Sequence, residues 1–500
     1  MNDMIQHWHQ QSVKQANMLK APAAKAVAFK SADCSYSWQQ LDQKIDAVAQ
    51  NLVIQGLAAN NIVAAVGKNH PDMVILYLAC VRLGALCALI PPQSPSLLQQ
   101  KLDIIQAQFL WLGEGCSALD SSLFTAHPTH NAQIVALQID GVNNSGASTV
   151  TSRSNPQLNQ YQPTNPASIV FTSGSTGTPK AVVHLAKQHL ASAQGLIEEF
   201  EFNAQDSWLL SLPMYHVSGL SIIWRWLSQG AQLVIGSGEL ICDLQGVTHA
   251  SLVPTQLQRV LDAAVSAPLK LKRVLLGGAH IPVSLTNQAA EQGIECWAGY
   301  GMTETASNVI AKKCDGSPTA GHVLTHRKIK LQQGRIYVAG EVLAAGYLSQ
   351  GKLTPLVTQQ QPWFDTKDLG IEHELKEDKG DLCEIEIVGR ADNLFTSGGE
   401  NIHCEEIEAA LIQHPDISQA IVIPVADAQY GHRPIAFLQT TSLQTEPEYK
   451  AFLLSYLDKF KCPDGYFLIP QSLLSTGIKI SRAELKRYYL NSIKVMKDQN

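Results

Sequence analysis

The chain has 500 residues, 45% of them hydrophobic, which is more than one core accommodates, so two or more domains are expected. A net charge of -6 with no Lys/Arg-rich block argues against a nucleic-acid surface as the main partner and leaves small molecules as the expected ligands. Ten cysteines are scattered without a C-x-x-C pair, which suggests neither zinc nor a disulfide framework and fits a reducing cytoplasm.

The opening MNDMIQHWHQQ is polar and lacks the basic-then-apolar order of a signal peptide. Ser37 and Gln40 have capping-box spacing ahead of a helix that places Leu41, Ile45, Val48 and Leu52 on one face and closes at Gly56. Ile62–Val66 reads as a strand, Pro71–Leu83 as a helix, and 85–90 as a fully apolar strand stopped by Pro91 and Pro92. The stretch 73–90 approaches membrane-spanning length, but Arg82 at its middle and the break at Gly84 make it core, so no membrane span is expected. Helix and strand alternate, which predicts a parallel sheet. Residues 141–166 are polar, small and unpatterned, and read as an exposed connector.

The connector leads into SIVFTSGSTGTPK, residues 168–180. An apolar strand, 169–171, delivers Thr172, Ser173, Gly174, Ser175, Thr176 and Gly177, whose N–H groups and hydroxyls can converge on phosphate oxygens, and Lys180 adds a mobile positive charge. A Ser/Gly-rich surface linker is the competing reading, but linkers rarely follow an apolar strand and run through Pro-Lys into a second one. The order differs from a Walker loop, because Thr-Pro-Lys follows Gly177, so a different phosphate chemistry is implied.

Beyond this loop, 188–200 reads as a helix and 208–212 as a strand ending at PMYHVSG, 213–219. His216 stands where that strand gives out; a core histidine bonded to backbone is the competing reading. In SIIWRWL, 221–227, Arg225 lies between Trp224 and Trp226 on an apolar helix, where an unpaired guanidinium is expensive and calls for an anion or a carbonyl cluster. A packed stem with the head in solvent remains open for Arg225. Strands follow at 232–235, 250–253 and 272–276. Gly277, Gly278 and Ala279 allow close backbone approach to a flat ligand. YGMTETAS, 300–307, supplies an aromatic face in Tyr300 and a carboxylate in Glu304 suited to a hard cation such as Mg2+. From Arg335 the texture changes to short hairpin strands, RIYVAG, WFDTKDLG and DLCEIEIVGR. A glycine turn then enters a helix with Ile407 and Leu411 buried, 416–425 returns as a strand, and a late turn presents Lys479 before a basic helix. An isolated lysine there is ordinarily a surface residue.

Taken together, SGSTGTPK, YHVSG, YGMTE, TKDLG, GRADN, SGGEN and the late KISR resemble, in order, the motifs of the adenylate-forming superfamily of acyl-CoA synthetases, adenylation domains and luciferases, over roughly residues 30–490. Within it, PMYHVSGLSIIWRWL, SLVPTQLQR, GHRP and GIKISR are most similar to the o-succinylbenzoate:CoA ligase branch of menaquinone biosynthesis. The resemblance implies an α/β fold: a large N-terminal domain, 1–391, of stacked mixed sheets with helices plus a β-rich subdomain, and a small mobile α+β C-terminal domain, 392–500, hinged at Asp392. It implies ATP, Mg2+ and coenzyme A, a carboxylic acid substrate, a cytoplasmic location and two half-reactions, acyl adenylate formation and then thioester formation. Homodimer assembly is left open.

By the same resemblance, residues 172–177 and Lys180 hold the β and γ phosphates, Thr303 contacts the α-phosphate, and Glu304 carries the metal. Tyr300 and Gly277 to Ala279 flank adenine, Asp368 and Arg390 bind the ribose, and Lys479 bridges carboxylate and phosphate. Ser397, Gly398, Gly399 and Glu400 form the CoA-side loop. Arg225, with His216, Ser218 and Thr255 as polar neighbours, is the candidate for the second carboxylate of the acid. Two positions depart from the superfamily pattern: Lys367 stands where glycine is usual, and Ile478 separates Gly477 from Lys479. Another aryl- or acyl-CoA ligase, a carrier-loading adenylation enzyme and a silent nucleotide-binding regulator are the alternatives.

Overall fold

The computed structural model describes residues 26–117, 119, 121–124, 134–139, 161–173, 179–263, 269–278, 281–375, 382–397, 400–474 and 480–493. Most of the connector expected at 141–166 therefore lies outside the described residues.

The opening helix forms where the capping box places it. Ser37 N–H donates to Gln40 Oε1 at 2.8 Å, Gln40 N–H donates to Ser37 Oγ at 3.3 Å, and helix Trp38–Ile54 follows. Helix Pro71–Leu83 ends at Gly84, whose φ of 67° is the left-handed conformation that glycine adopts without steric cost. Eleven of its residues, Met73 to Leu83, are buried, as expected of core, and Arg82 among them is ion-paired to Asp42 and Asp46 on the preceding helix. No helix among the described residues is long and apolar enough to cross a membrane.

The strands assemble into an eight-stranded and a nine-stranded sheet, each parallel at its centre and antiparallel at an edge. In the eight-stranded sheet, Ile62–Val66, Leu86–Ile90 and Pro166–Ser173 run parallel, and Pro179–Leu185 turns back against the last of them. In the nine-stranded sheet, His249–Leu252, Arg273–Leu276 and Glu295–Met302 run parallel, with Ser307–Lys313 antiparallel beside them. One continuous core joins the facing sides of both sheets through helices Trp38–Ile54, Pro71–Leu83, Ala186–Phe200 and Val217–Gln229. Helix Pro95–Ile105 covers the far side of the first sheet, and Pro254–Asp262 with Val283–Glu291 covers that of the second. The fold is thus sheet between helical layers twice over, the stacked α/β arrangement expected from the sequence.

The hairpin texture after Arg335 becomes a four-stranded antiparallel sheet of Arg327–Gln332, Arg335–Gly340, Phe364–Leu375 and Leu382–Arg390. The last hundred residues build a further sheet from Leu394–Ser397, Glu400–His403, Ile417–Asp427, Gly431–Thr440 and Tyr466–Leu468, with its own apolar cores and helix Cys404–Ile412. Helix 188–200 starts two residues earlier than its pattern suggests, at Ala186, because Gln188 Oε1 accepts from Leu185 N–H and so caps the preceding turn. Strand 208–212 ends sooner, at Leu209.

Candidate active site

The phosphate-type segment lies on the two antiparallel strands Pro166–Ser173 and Pro179–Leu185, which bring Thr172 opposite Lys180 and Ser173 opposite Pro179. Gly174, Ser175, Thr176 and Gly177 are outside the described residues. Lys180 Nζ stands 5.3 Å from the centre of the Tyr347 ring. The Tyr347 hydroxyl donates to Glu304 Oε1 at 2.9 Å. One aromatic ring therefore joins the cation of the loop to the carboxylate expected to carry metal. Burial, and then the Glu304 carboxylate, push the Tyr347 phenol upward, so it stays a donor. Among the described residues no group of three or more His, Cys, Asp or Glu side chains converges as a metal cage. A lone carboxylate fits Mg2+, which keeps waters and phosphate oxygens as its other ligands.

Thr303 and Glu304 sit on a short 3-10 turn between strands Glu295–Met302 and Ser307–Lys313. The turn leaves through two non-glycine residues of positive φ, Ala306 at 52° and Ser307 at 128°, a strained path. On the adjoining side, Tyr300 Oη donates to Asp368 Oδ2 at 2.7 Å, and Arg390 pairs with Asp368 Oδ1 at 3.2 Å. Asp368 and Arg390 face each other across neighbouring strands. The structure thus gathers the expected adenine-side tyrosine and both expected ribose-side residues into one chain of contacts. Gly277 lies against the residue before Tyr300, where a Cβ would come within 3.3 Å of the Gly299 carbonyl, and Gly278 has a φ of 82°. Ala279 is outside the described residues.

Lys367 adopts a φ of 63°, with its side chain exposed and its N–H bonded to Asp365 Oδ1 at 2.9 Å. Its charge therefore faces solvent, and the departure from glycine is chiefly one of backbone strain. Lys367→Gly is expected to raise the free energy of unfolding by about 1 kcal/mol, relief of the left-handed strain exceeding the added chain entropy, while the Michaelis constant for ATP stays within about 2-fold. Denaturant unfolding alongside ATP kinetics checks both halves.

On the acyl side, His216 precedes helix Val217–Gln229, and Ser218 occupies its first turn. His216 Nε2 is buried and has no protein partner among the described residues, and burial, then the nearby Lys101, lower the imidazole's pKa. Thr255 opens helix Pro254–Asp262, half-buried. Arg225 lies about 13 Å further along its helix than His216, so these two are not side by side. Its side chain is only 1% exposed, which excludes a head reaching solvent. The guanidinium donates to Ser307 Oγ and Asn308 Oδ1, both at 3.0 Å, lies 5.3 Å from the Trp208 ring, and has no carboxylate partner among the described residues. Burial, then Arg327, push its pKa down. A guanidinium nevertheless stays charged, so a buried positive charge faces only neutral acceptors. The carbonyl cluster that the sequence left open for Arg225 belongs instead to Arg327, which donates to the carbonyls of Ala191, Ser192, Thr325 and Asn308.

In the C-terminal sheet, Ser397 and Glu400 flank a hairpin whose Gly398 and Gly399 are outside the described residues. Ser397 is buried and its hydroxyl accepts from Arg433, while Glu400 is exposed. Asp392 lies in the turn Ala391–Asn393. Asn393 Nδ2 donates to Glu405 Oε1, and Arg482, three residues after Lys479, binds both oxygens of Glu408 and lies 3.2 Å from Glu405. Lys479 and Ile478 are outside the described residues.

Three residues that the sequence did not single out belong to the surroundings of the site: Tyr347, His184 and Ser192. His184 Nε2–H donates to the Thr303 carbonyl at 2.7 Å, and Ser192 Oγ–H donates to the Ala306 carbonyl at 2.9 Å. His184, His189 and His249 are all buried, and burial lowers each pKa, to about 4 for His184 and His249. Their unfolded value is about 6.5, so the unfolded chain takes up protons that the folded one refuses. Their contribution is intact above pH 6.5 and is lost as pH falls toward 4. The unfolding temperature is expected to fall steeply across that window, and His249→Phe to flatten the slope by about 1.4 kcal/mol per pH unit. Calorimetry at pH 7, 6, 5 and 4.5 measures it.

The Lys180–Tyr347–Glu304 contact and the Tyr300–Asp368–Arg390 chain thus meet strand Glu295–Met302 and the turn that follows it. The sequence profile of the AMP-binding enzyme family matches residues 15–348, that of the AMP-binding enzyme C-terminal domain matches 406–477, and the chain belongs to this family. Among curated relatives, 2-succinylbenzoate–CoA ligase of Salmonella typhimurium (strain LT2) is 39% identical over 473 residues, covering 94% of this chain and 96% of the relative. That of Escherichia coli (strain K12) is 38% identical over 466 residues, covering 93% and 95%. The solved structure of an arginine-to-lysine variant of E. coli MenE with bound OSB-AMS matches with a TM-score of 0.81 at 35% identity, covering 98% of each chain.

Proposed function

We infer that this protein is an AMP-forming acid:CoA ligase that converts 2-succinylbenzoate to its CoA thioester in menaquinone biosynthesis, using ATP and Mg2+. The observation that carries the reading is identity of 38 to 39% to ligases of that name over more than nine-tenths of the chain. A carboxylate is a poor electrophile, so the reaction runs in two displacements. In the first, a carboxylate oxygen attacks the α-phosphorus of ATP and the bond to the β-phosphate breaks, giving acyl adenylate and pyrophosphate. In the second, the CoA thiolate attacks the acyl carbon and AMP leaves.

Residues 172–177 and Lys180 restrain the departing pyrophosphate, and Thr303 holds the α-phosphate, the charge arriving on oxygen being met by preset donors. Mg2+ held by Glu304 would neutralise phosphate charge. Tyr300, Gly277, Gly278 and Ala279 seat adenine, and Asp368, oriented by Tyr300 and Arg390, accepts from the ribose hydroxyls. Arg225 supplies the positive charge for the carboxylate that is not activated, with His216, Ser218 and Thr255 lining the way to it. Lys479 bridges the reacting groups. We place a mobile C-terminal domain after a hinge at Asp392, with Ser397 to Glu400 turned to CoA in the second step. The enzyme is read as cytoplasmic, and a homodimer as its candidate assembly, which light scattering decides.

The test is incubation of 2-succinylbenzoate, ATP, Mg2+ and CoA with detection of the thioester and AMP. Thioester formation only with other aryl or aliphatic acids would move the protein to another acyl-CoA ligase; adenylation without transfer to CoA would make it a carrier-loading enzyme.

A further inference from the structure

We propose that His184 is a positioning residue for the turn 303–307, holding Thr303 and Glu304 in register for adenylation, with Ser192 acting at the other end of the same turn. The inference rests on the reading that this turn serves the α-phosphate and the metal.

The turn holds itself only in part. Ala306 and Ser307 both have positive φ without being glycine, a condition that costs of order 1–3 kcal/mol per residue and persists only where surroundings enforce it. Within the turn, Met302 N–H donates to Thr305 Oγ1 at 3.1 Å and Ala306 N–H donates to the Thr303 carbonyl at 3.1 Å. Thr305 Oγ1 also lies 3.0 Å from the Met302 carbonyl and 2.8 Å from the Ser307 carbonyl. Further clamps come from distant segments. Ala344 N–H donates to the Glu304 carbonyl at 2.9 Å, Ser192 to the Ala306 carbonyl, Arg225 to Ser307 Oγ, and His184 to the Thr303 carbonyl.

Of these, His184 is the contact hardest to explain as packing. It is fully buried on strand Pro179–Leu185, and its Nδ1 has no protein partner among the described residues. A leucine there would avoid the penalty of about 1–3 kcal/mol for a half-satisfied polar ring. The ring is also fixed in direction. Its centre is 4.7 Å from that of His189, which lies 5.1 Å from Trp224 in a near-parallel stack and bonds Ser168 Oγ at 2.8 Å. Trp224 in turn donates to the Tyr77 hydroxyl at 2.9 Å. The same strand that carries Lys180 thus sends a second side chain, four residues on, to the turn that carries Glu304. Strand Pro179–Leu185 and the turn, which belong to different sheets, are thus tied together.

The test compares His184→Leu, which removes the donor, with His184→Gln, whose amide can restore it. Calorimetric titration with MgATP reads the nucleotide side without any acid, and ATP–pyrophosphate exchange with 2-succinylbenzoate, normalised by active-site titration, reads adenylation. His184→Leu is expected to weaken MgATP binding and lower exchange kcat by about 10-fold each, about one factor of 1.4 kcal/mol, with the Michaelis constant for 2-succinylbenzoate within about 3-fold; His184→Gln should recover to within about 3-fold of the parent. Ser192→Ala, a small change, should move both readouts the same way and keeps the proposal testable if His184→Leu does not fold. Parent-like MgATP binding and exchange in His184→Leu, or equal damage in the leucine and glutamine variants, overturns the proposal. Failure of the parent to exchange with 2-succinylbenzoate while binding MgATP overturns the substrate reading instead, and the calorimetric comparison still decides His184.

Discussion

Lys479→Ala is expected to reduce acyl adenylate formation by at least about 100-fold while leaving thioester formation from supplied acyl adenylate within about 3-fold. The physical reason is the stage at which its charge is needed. Adenylation crowds the incoming carboxylate and the triphosphate, both anionic, and a mobile point charge between them lowers that barrier. The second displacement expels AMP from an already activated carbonyl and has no such pair of anions to reconcile. The chain immediately following is anchored: Ile480 packs in an apolar core with Ile421, Ile423 and Leu485, Ser481 caps helix Arg482–Tyr488, and Arg482 is bidentate to Glu408. An alanine one residue before such an anchor leaves the unit folded, so the loss would be chemical. Equal loss in both half-reactions, measured by pyrophosphate exchange and by single-turnover thioester release, would sink the assignment.

The second large effect concerns Arg225. Arg225→Ala is expected to raise the Michaelis constant for 2-succinylbenzoate by about 30-fold, equivalent to roughly 2 kcal/mol for a lost charge-assisted contact, with that for ATP within about 3-fold. Arg225→Lys should fall between, because a point charge replaces a planar fork. The environment gives the experiment a sharp alternative. Arg225 also donates to Ser307, at the end of the turn that carries Glu304. If ATP and acid constants rise in parallel, the arginine works through that turn and the acid's second carboxylate is met elsewhere.

What the sequence made legible is local. The capping box at Ser37 and the helix Pro71–Leu83 with its glycine stop followed from short-range patterns, whereas Asp368 and Arg390 were named separately through their motifs and only the strand pairing sets them face to face. Tyr347 carries no such signal; it matters because strand Gly346–Ser349 pairs with Pro179–Leu185 and so brings its ring beneath Lys180. His184 likewise reads as one polar residue in an apolar strand, and its partner lies 119 residues away, on the turn between two strands of the other sheet. The isolated arginine in a tryptophan pair was readable as costly, yet whether its head met solvent, carbonyls or neutral side chains depended on where Ser307 and Asn308 came to rest.

Two ties bracket the turn Ala391–Asn393, and on the proposal of a mobile C-terminal domain they would limit how it reorients. Arg390 is tied upstream through Asp368, and Asn393 is tied downstream through Glu405, whose carboxylate also lies within 3.2 Å of Arg482. A body that swings with these ties intact can draw only on Ala391 and Asp392, which offer about four soft backbone torsions. So few degrees of freedom describe a bearing rather than a tether: the lysine-bearing segment would sweep an arc between a small number of stops instead of exploring a volume. A proline at Asp392 would remove one of those torsions and slow the exchange between stops without touching either half of the chemistry.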